Sequence, residues 1–401
     1  MNMPVTKRLF GNELVYLKEV LETEFRSSSG SIMMKRLEEA FSSRFGMEYG
    51  ISFVNGTATM HAALEAMGIG PGDEVIVPPL TMSATTFAVL QANATPIFAD
   101  VDPDTFQIDP ASIRSKVTVN TKAIITVALF GLSPDMDAIM MIAKEFNLKV
   151  IEDNAECFLA TYKGRLVGTL GDCSSFSFQS SKHLTSGEGG ILLTNDLDLA
   201  EKIRKVQSLG YAGVSATKGK ITKKDIQDPN YSRHVTMGWN YRMPELCCAV
   251  ALAQTENIEQ LVGRRVEVGK IFGEVAKDFS SWFKTQKVGP EYTNSYWTWV
   301  ARLDSDKLDW FAFRDAFLSN GGDGVYSAWK LTYLEPMFSE KSLLGRERFI
   351  SKENLDSYKK GLCPVAEKIQ PQLLQFKTNY WDISKAYQQA EILRKTLKSF
   401  D

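Results

Sequence analysis

One lysine, Lys182, stands in Ser177-Phe-Gln-Ser-Ser-Lys-His-Leu-Thr-Ser-Gly-Glu-Gly-Gly190, between a β-rich run and a glycine-rich turn. An amine held there can act as a nucleophile toward a carbonyl and as a base. Upstream, Val150-Ile-Glu-Asp153 ends an apolar run on a carboxylate, which is costly to bury unless a cation faces it. In Phe53-Val-Asn-Gly-Thr-Ala-Thr59, Gly56 allows close backbone approach, and Thr57, Ala58 and Thr59 open a helix. The free N–H groups of such a turn suit an anion such as phosphate. Ser177 closes its own β-rich run with a hydroxyl, and Gly187-Glu-Gly-Gly190 lets backbone pass close beside whatever Lys182 meets.

Taken singly, each residue has an ordinary reading. A loop lysine is a solvated cation, Asn-Gly-Thr caps a helix, Asp153 caps a neighbouring helix or loop, and the Ser177 hydroxyl bonds nearby backbone. Together they match one cofactor. Pyridoxal phosphate needs an amine to condense with its aldehyde, an acid against its pyridine nitrogen and a cup for its phosphate. Lys182, Asp153, and Thr57 and Ala58 with Ser177 supply these in turn. No Gly-x-x-x-x-Gly-Lys-Ser/Thr occurs, and Gly68-Ile-Gly-Pro-Gly72-Asp leads into a strand instead of opening a helix. Phosphate-loop nucleotide chemistry and nicotinamide chemistry are therefore disfavoured.

The elements that must position these groups form an α/β pattern between about residues 49 and 195. Predicted strands are Tyr49–Asn55, Glu74–Pro79, Thr95–Val101, Lys122–Leu129, Lys149–Asp153, Ser174–Gln179 and Gly190–Thr194. Several are near-continuous apolar runs, as expected where both faces of a sheet are covered, so the segment reads as a large α/β layer with seven candidate strands. Asp109-Pro110 reads as N-cap and first helical residue, and Ser133-Pro134-Asp135 repeats the device, starting a helix with Ala138, Met141, Ile142 and Phe146 on one face. After residue 196 come a helix at Leu197–Leu209, a polar excursion at Gly213–Arg233, and long helices at Pro244–Val262 and Arg264–Phe279. The remainder mixes a strand, Tyr296–Leu303, with helices Trp310–Ser319 and Tyr380–Ser399. The expected division is a large domain over 1–262 and a smaller α+β domain over 263–401. The helical N-terminal segment is expected to pack on the small lobe or on a partner subunit.

With 46 basic and 48 acidic side chains among 401 residues, the net charge of −2 gives no global attraction to nucleic acid. No run approaches the ~18 apolar residues of a membrane span, and Met1-Asn-Met-Pro-Val-Thr-Lys-Arg lacks the pattern of a signal peptide. Five cysteines without a Cys-x-x-Cys pair, beside three histidines, predict reduced thiols in a cytoplasmic protein and no metal site.

The motifs as a set resemble the DegT/DnrJ/StrS sugar aminotransferases. They are Asn55-Gly-Thr-Ala-Thr, Pro78-Pro-Leu-Thr-Met82, Phe98-Ala-Asp-Val-Asp-Pro-Asp-Thr-Phe106, Ile151-Glu-Asp-Asn-Ala-Glu156, Ser177 to Gly190, and Gly238-Trp-Asn-Tyr-Arg-Met-Pro-Glu245. The resemblance runs from about residue 10 to 275 and more weakly beyond. It implies the α/β, aspartate aminotransferase-like fold type I, a large three-layer domain around a mostly parallel seven-stranded sheet with a smaller α+β domain. Lys182 is then the cofactor-bonded lysine, with Asp153 on the pyridine nitrogen, and Thr57, Ala58 and Ser177 on the phosphate. It places Met82 where an aromatic often stacks on the ring, and Glu156 where Gln or His usually meets the 3-hydroxyl. It has Asn240 reach the phosphate of a neighbouring subunit, so that a homodimer shares two sites. Glutamate or glutamine would donate the amino group, and a keto or aldehyde sugar, nucleotide-linked or free, would accept it. In the family such products feed surface polysaccharide, lipopolysaccharide or antibiotic synthesis. Members with His at the lysine position are keto-deoxysugar dehydratases, the alternative here; His183 follows directly, but the spacing from Ser177 favours Lys182. Tyr326-Ser-Ala-Trp-Lys-Leu-Thr-Tyr333 departs from the family's His/Pro-rich loop, and Arg242 and Lys330 are candidates for the donor's α-carboxylate.

Overall fold

A computed structural model describes residues 8–25, 32–219, 221–222, 227–304 and 308–400. Part of the helical N-terminal segment (1–7 and 26–31) and of the polar excursion (220 and 223–226) lies outside these residues.

The predicted strands all form. They are β1 Tyr49–Phe53, β2 Glu74–Val77, β3 Thr95–Phe98, β4 Thr121–Val127, β5 Lys149–Asp153, β8 Cys173–Ser177 and β9 Gly190–Thr194, with a small hairpin, β6 Thr161–Tyr162 and β7 Arg165–Leu166, standing apart. They make one sheet in the order β1-β9-β8-β5-β4-β2-β3. β9 runs antiparallel to both its neighbours, while the remaining pairs are parallel. Five strands end two or three residues before the predicted end, as the chain leaves the ladder. Asn55, for example, is no longer paired; its side chain accepts from the Ala58 amide and caps the helix Gly56–Ala66. Helices cover both faces of the sheet, and the side chains between them, such as Ile51, Val75, Ile125 and Leu192, are fully buried. Each such side chain contributes about 1.5–3 kcal/mol on burial.

Local punctuation behaves as read at Asp109, whose carboxylate accepts from the Ala111 and Ser112 amides ahead of Pro110. The second device differs. Asp135 is the cap of Met136–Phe146, while the Ser133 hydroxyl donates to the Pro134 carbonyl. The start moves by a few residues, and the face that is buried is Met136, Ile139, Ile142 and Ala143, with Met141 exposed. The two long helices also break earlier than expected, between Glu245–Thr255 and Ile258–Ala276. Asn257 stops the first helix by donating its side-chain amide to the Ala253 carbonyl, and Gly263 sits inside the second helix.

Ile258–Ala276 passes from one core into another. Ile258, Leu261 and Val262 join the cluster under β9, whereas Val268, Phe272 and Val275 join the core of a second sheet. That sheet comprises β10 Phe283–Thr285, β11 Thr298–Leu303, β12 Tyr326–Ser327 and β13 Leu373–Lys377, antiparallel in the order β10-β11-β13-β12. β11 starts two residues later than predicted, since Tyr296 takes a left-handed φ of 49°. Helices Trp310–Ser319 and Ile383–Lys398 cover this sheet. We propose the division near residue 262 on this change of core, although Tyr333, Phe338 and Tyr358 return to pack around Phe98 of β3. The first helix, Asn12–Glu22, lies along Glu245–Thr255, where Asn12 and Tyr16 both donate to Glu256. No helix among the described residues is long and apolar enough to cross a membrane.

Candidate active site

Parallel strands project their carboxyl ends to one edge of the sheet, and a crevice forms there. Its volume is about 540 Å³, and Asn55, Gly56, Thr57, Asp153, Glu156, Ser177 and Lys182 all line it. Lateral pairing sets their spacing: Asp153 is registered with Val127 of β4 on one side and Ser175 of β8 on the other.

Asp153 is 5% exposed. Its Oδ2 accepts from the Thr85 hydroxyl at 2.8 Å and its Oδ1 from the Ala155 amide at 3.1 Å. Burial pushes its carboxyl up, while the Thr85 and Ala155 bonds and the charge of Lys182 oppose that push. Such a carboxylate is oriented and short of positive charge, which suits a pyridinium nitrogen.

The first turn of Gly56–Ala66 forms the opposite end of the site. Asn55 Oδ1 takes the Ala58 amide at 2.8 Å, so that Ala58 is buried and held by the cap, while half-buried Thr57 faces the cavity. Two glycines let this turn close on Ser177. A Cβ on Gly56 would lie 3.1 Å from the Ser177 Cβ, and one on Gly190 would lie 2.8 Å from Gly56 N. The second methyl cannot fit without displacing backbone and the first would push on the Ser177 side chain, so the two glycines keep the Thr57 and Ser177 hydroxyls together beside a helix N-terminus.

Lys182 Nζ lies 3.4 Å from Glu156 Oε1 and 4.3 Å from the centroid of the Trp297 ring. Glu156 is buried, and its Oε2 accepts from the Phe130 amide at 3.1 Å. The loop carrying Lys182 is held from outside the cavity. Arg8 donates to the carbonyls of Ser180 (2.8 Å) and Lys182 (2.6 Å). Arg265, 2% exposed, donates to Ser181 O (2.8 Å) and Lys182 O (3.0 Å), and Trp297 Nε1 donates to Ser181 O (3.0 Å). Burial and the nearby Arg8 lower the Arg265 guanidinium to about 9. His183 points the other way: it is fully buried and its Nε2 donates to Ser295 O at 2.9 Å. Burial and the charge of Arg265 hold it well below the ordinary imidazole range.

Met82 lines the rim and is half exposed. Asn240 is exposed, bridged to Ser208, and outside the cavity lining. Arg242, bridged to Phe53, and exposed Lys330 also stand outside it. Sequence reading missed Thr85, Arg265 and Trp297; Trp329, from the aromatic, basic loop Tyr326–Tyr333 whose character suits an anionic acceptor, stacks on Trp297 with ring centroids 5.7 Å apart at 10°. A buried hydroxyl within the apolar helix Ala84–Gln91 was the available signal for Thr85. Arg265 and Trp297 carry none, since a second sheet has to fold before they arrive.

An amine, a buried strand-end carboxylate and an anion cradle within one cavity fit pyridoxal phosphate. The comparisons with known proteins agree. The model of the DegT/DnrJ/EryC1/StrS aminotransferase family matches residues 9–348. The chain is 43% identical over 262 residues to a GDP-perosamine synthase of Caulobacter vibrioides, spanning 65% of this chain and 66% of that protein. It is 38% identical over 289 residues to a GDP-perosamine synthase of Escherichia coli O157:H7, spanning 72% and 74%. The aminotransferase from Psychrobacter cryohalolentis superposes with a TM-score of 0.85 at 26% identity, over 98% of both chains. The chain therefore belongs to the DegT/DnrJ/EryC1/StrS aminotransferase family, whose members work with pyridoxal phosphate.

Proposed function

We propose that this chain moves an amino group from glutamate or glutamine onto the keto or aldehyde carbon of a sugar. The observation that carries the reading is the convergence of Lys182, Asp153 and the Thr57–Ser177 cradle on one cavity. When bound, pyridoxal phosphate supplies the electron sink for breaking the donor's Cα–H bond. Thr57 and Ser177 would hold its phosphate, and Asp153 would supply the carboxylate for its pyridinium nitrogen. Lys182 Nζ, once neutral, takes the proton from the donor's α-carbon. Trp297, just before β11 and with its ring 4.3 Å from Nζ, covers that amine and limits water beside it, while Trp329 walls the cavity farther out.

The two GDP-perosamine synthases support a nucleotide-linked, GDP-bearing keto sugar as the acceptor; the family resemblance assigns its product to surface polysaccharide or lipopolysaccharide. Asn240, exposed and outside the cavity of its own subunit, supports a homodimer in which it serves the neighbouring site. We place the enzyme in the cytoplasm, where the thiols of a chain with five cysteines and no Cys-x-x-Cys pair stay reduced. The test is a panel of GDP-, UDP- and dTDP-linked keto sugars and free keto sugars, offered with glutamate or glutamine and read by mass. Nitrogen retained in a GDP-sugar supports the reading. Loss of water without retained nitrogen would make the protein a dehydratase.

A further inference from the structure

Two carboxylates share the cavity with Lys182, and they are used differently. Both oxygens of Asp153 are occupied, by Thr85 and Ala155. Glu156 has Oε2 fixed by the Phe130 amide, whereas Oε1 faces Lys182 Nζ at 3.4 Å. Phe130 donates that bond from a left-handed backbone, φ 62°, which is uncommon for a residue with a side chain and clusters at functional sites. The Lys182 and Glu156 side chains are 12% and 4% exposed, so their ion pair is largely out of water.

We propose that Glu156 is the proton-accepting partner of Lys182: the carboxylate takes the ammonium proton when Nζ becomes neutral to react. The Nζ–H bond breaks as the Oε1–H bond forms, so a buried ion pair becomes an amine and a carboxylic acid with no change in net charge. The surroundings favour that exchange over release to solvent. Without the ammonium, Glu156 would be a buried anion beside the Asp153 carboxylate, and two such neighbours resist being ionised together. Burial and Asp153 both push the Glu156 carboxyl up, against Lys182 and the Phe130 amide. The other titratable groups nearby are Cys157, whose thiol is pushed up to about 12 by burial and stays neutral, and exposed Glu188 at the cavity edge. The inference rests on Lys182 as the working amine but not on the identity of the sugar.

Infrared difference spectroscopy on the full chain reads the proton directly. The C=O stretch of an un-ionised carboxyl should appear at neutral pH in cofactor-free Lys182→Met and be absent from the cofactor-free wild type. It should also appear when the wild type is loaded with pyridoxal phosphate, persist in loaded Asp153→Asn and Glu156→Asp, and vanish in loaded Glu156→Gln. In weak buffer, loading should release about one more proton per site from Glu156→Gln than from wild type. Absence of the band from both loaded wild type and Lys182→Met overturns the proposal, as does equal proton release. If borohydride fails to fix the cofactor on Lys182, the working-amine assignment falls with it. If the cofactor is fixed and the band is missing, only the role of Glu156 falls.

Discussion

Lys182, Asp153, Glu156 and Ser177 stand at or just beyond strand ends of the seven-stranded sheet, whereas Trp297 and Trp329 come from the connections flanking β11 and β12 of the four-stranded one. The first group forms the floor of the cavity, the second its wall. Backbone ladders set the floor, with Asp153 locked between Val127 and Ser175. The wall is attached through side chains: Trp297 Nε1 and Arg265 donate to the Lys182 loop, His183 bonds Ser295, and Trp297 and Trp329 pack against the large-sheet core, with Trp329 stacked on Phe130. Chemistry that demands fixed distances is thus built on the rigid part, and contact with a variable acceptor on the part that can be rebuilt.

Substitutions that separate the two should have graded effects. Lys182→Ala removes the reacting amine and should lower kcat by about 1,000-fold or more, with no cofactor fixed by borohydride. Wild-type turnover in that variant would remove the floor from the chemistry altogether. Asp153→Asn keeps the Thr85 contact but not the charge; it should bind the cofactor and lose about 100-fold in kcat. Full activity there would assign the strand-end acid to structure alone.

His183 tests the joint between floor and wall. Its folded pKa lies well below the unfolded value of 6.5, so the unfolded chain binds the extra proton first. Stability should be fully present above pH 6.5 and fall as pH drops toward the folded pKa, by about 1.4 kcal/mol per pH unit from this group. Urea midpoints across pH 4.5 to 7.5, compared with His183→Gln, isolate the effect; identical pH profiles would refute it. The smallest effect belongs to the wall. Trp329→Leu should raise the acceptor KM about 3- to 10-fold, the worth of one stacked aromatic, while leaving the donor half-reaction and cofactor spectrum unchanged. A loss in the donor half-reaction instead would show that the wall takes part in the chemistry.

The same contrast explains what could be read in the residues. The floor was legible because each of its parts is local: an apolar run with Asp153 at its end, an Asn-Gly-Thr turn into a helix, a lysine before glycines. All seven strands followed from their apolar runs. Thr85, Arg265, Trp297 and Trp329 act across distances that only the tertiary fold sets. Arg265 reaches Lys182 from a helix whose sequence reads as an ordinary amphipathic surface. Boundaries failed where one side chain decides the geometry, as Asn257 does in ending Glu245–Thr255 and Asp135 does in starting Met136–Phe146.

The antiparallel course of β9 has a consequence for how the chain comes to work. β1, the first strand made, pairs in the sheet only with β9, and five other strands of that sheet lie between them in the chain. Until β9 arrives, the Asn55–Gly56 turn has no Gly190 against it. The cofactor's cradle is therefore one of the last parts of the large sheet to be assembled, and its closure carries the loop entropy of everything between. During synthesis, β1 waits as an unpaired edge, protected by the helix Met33–Phe45 that packs beside it.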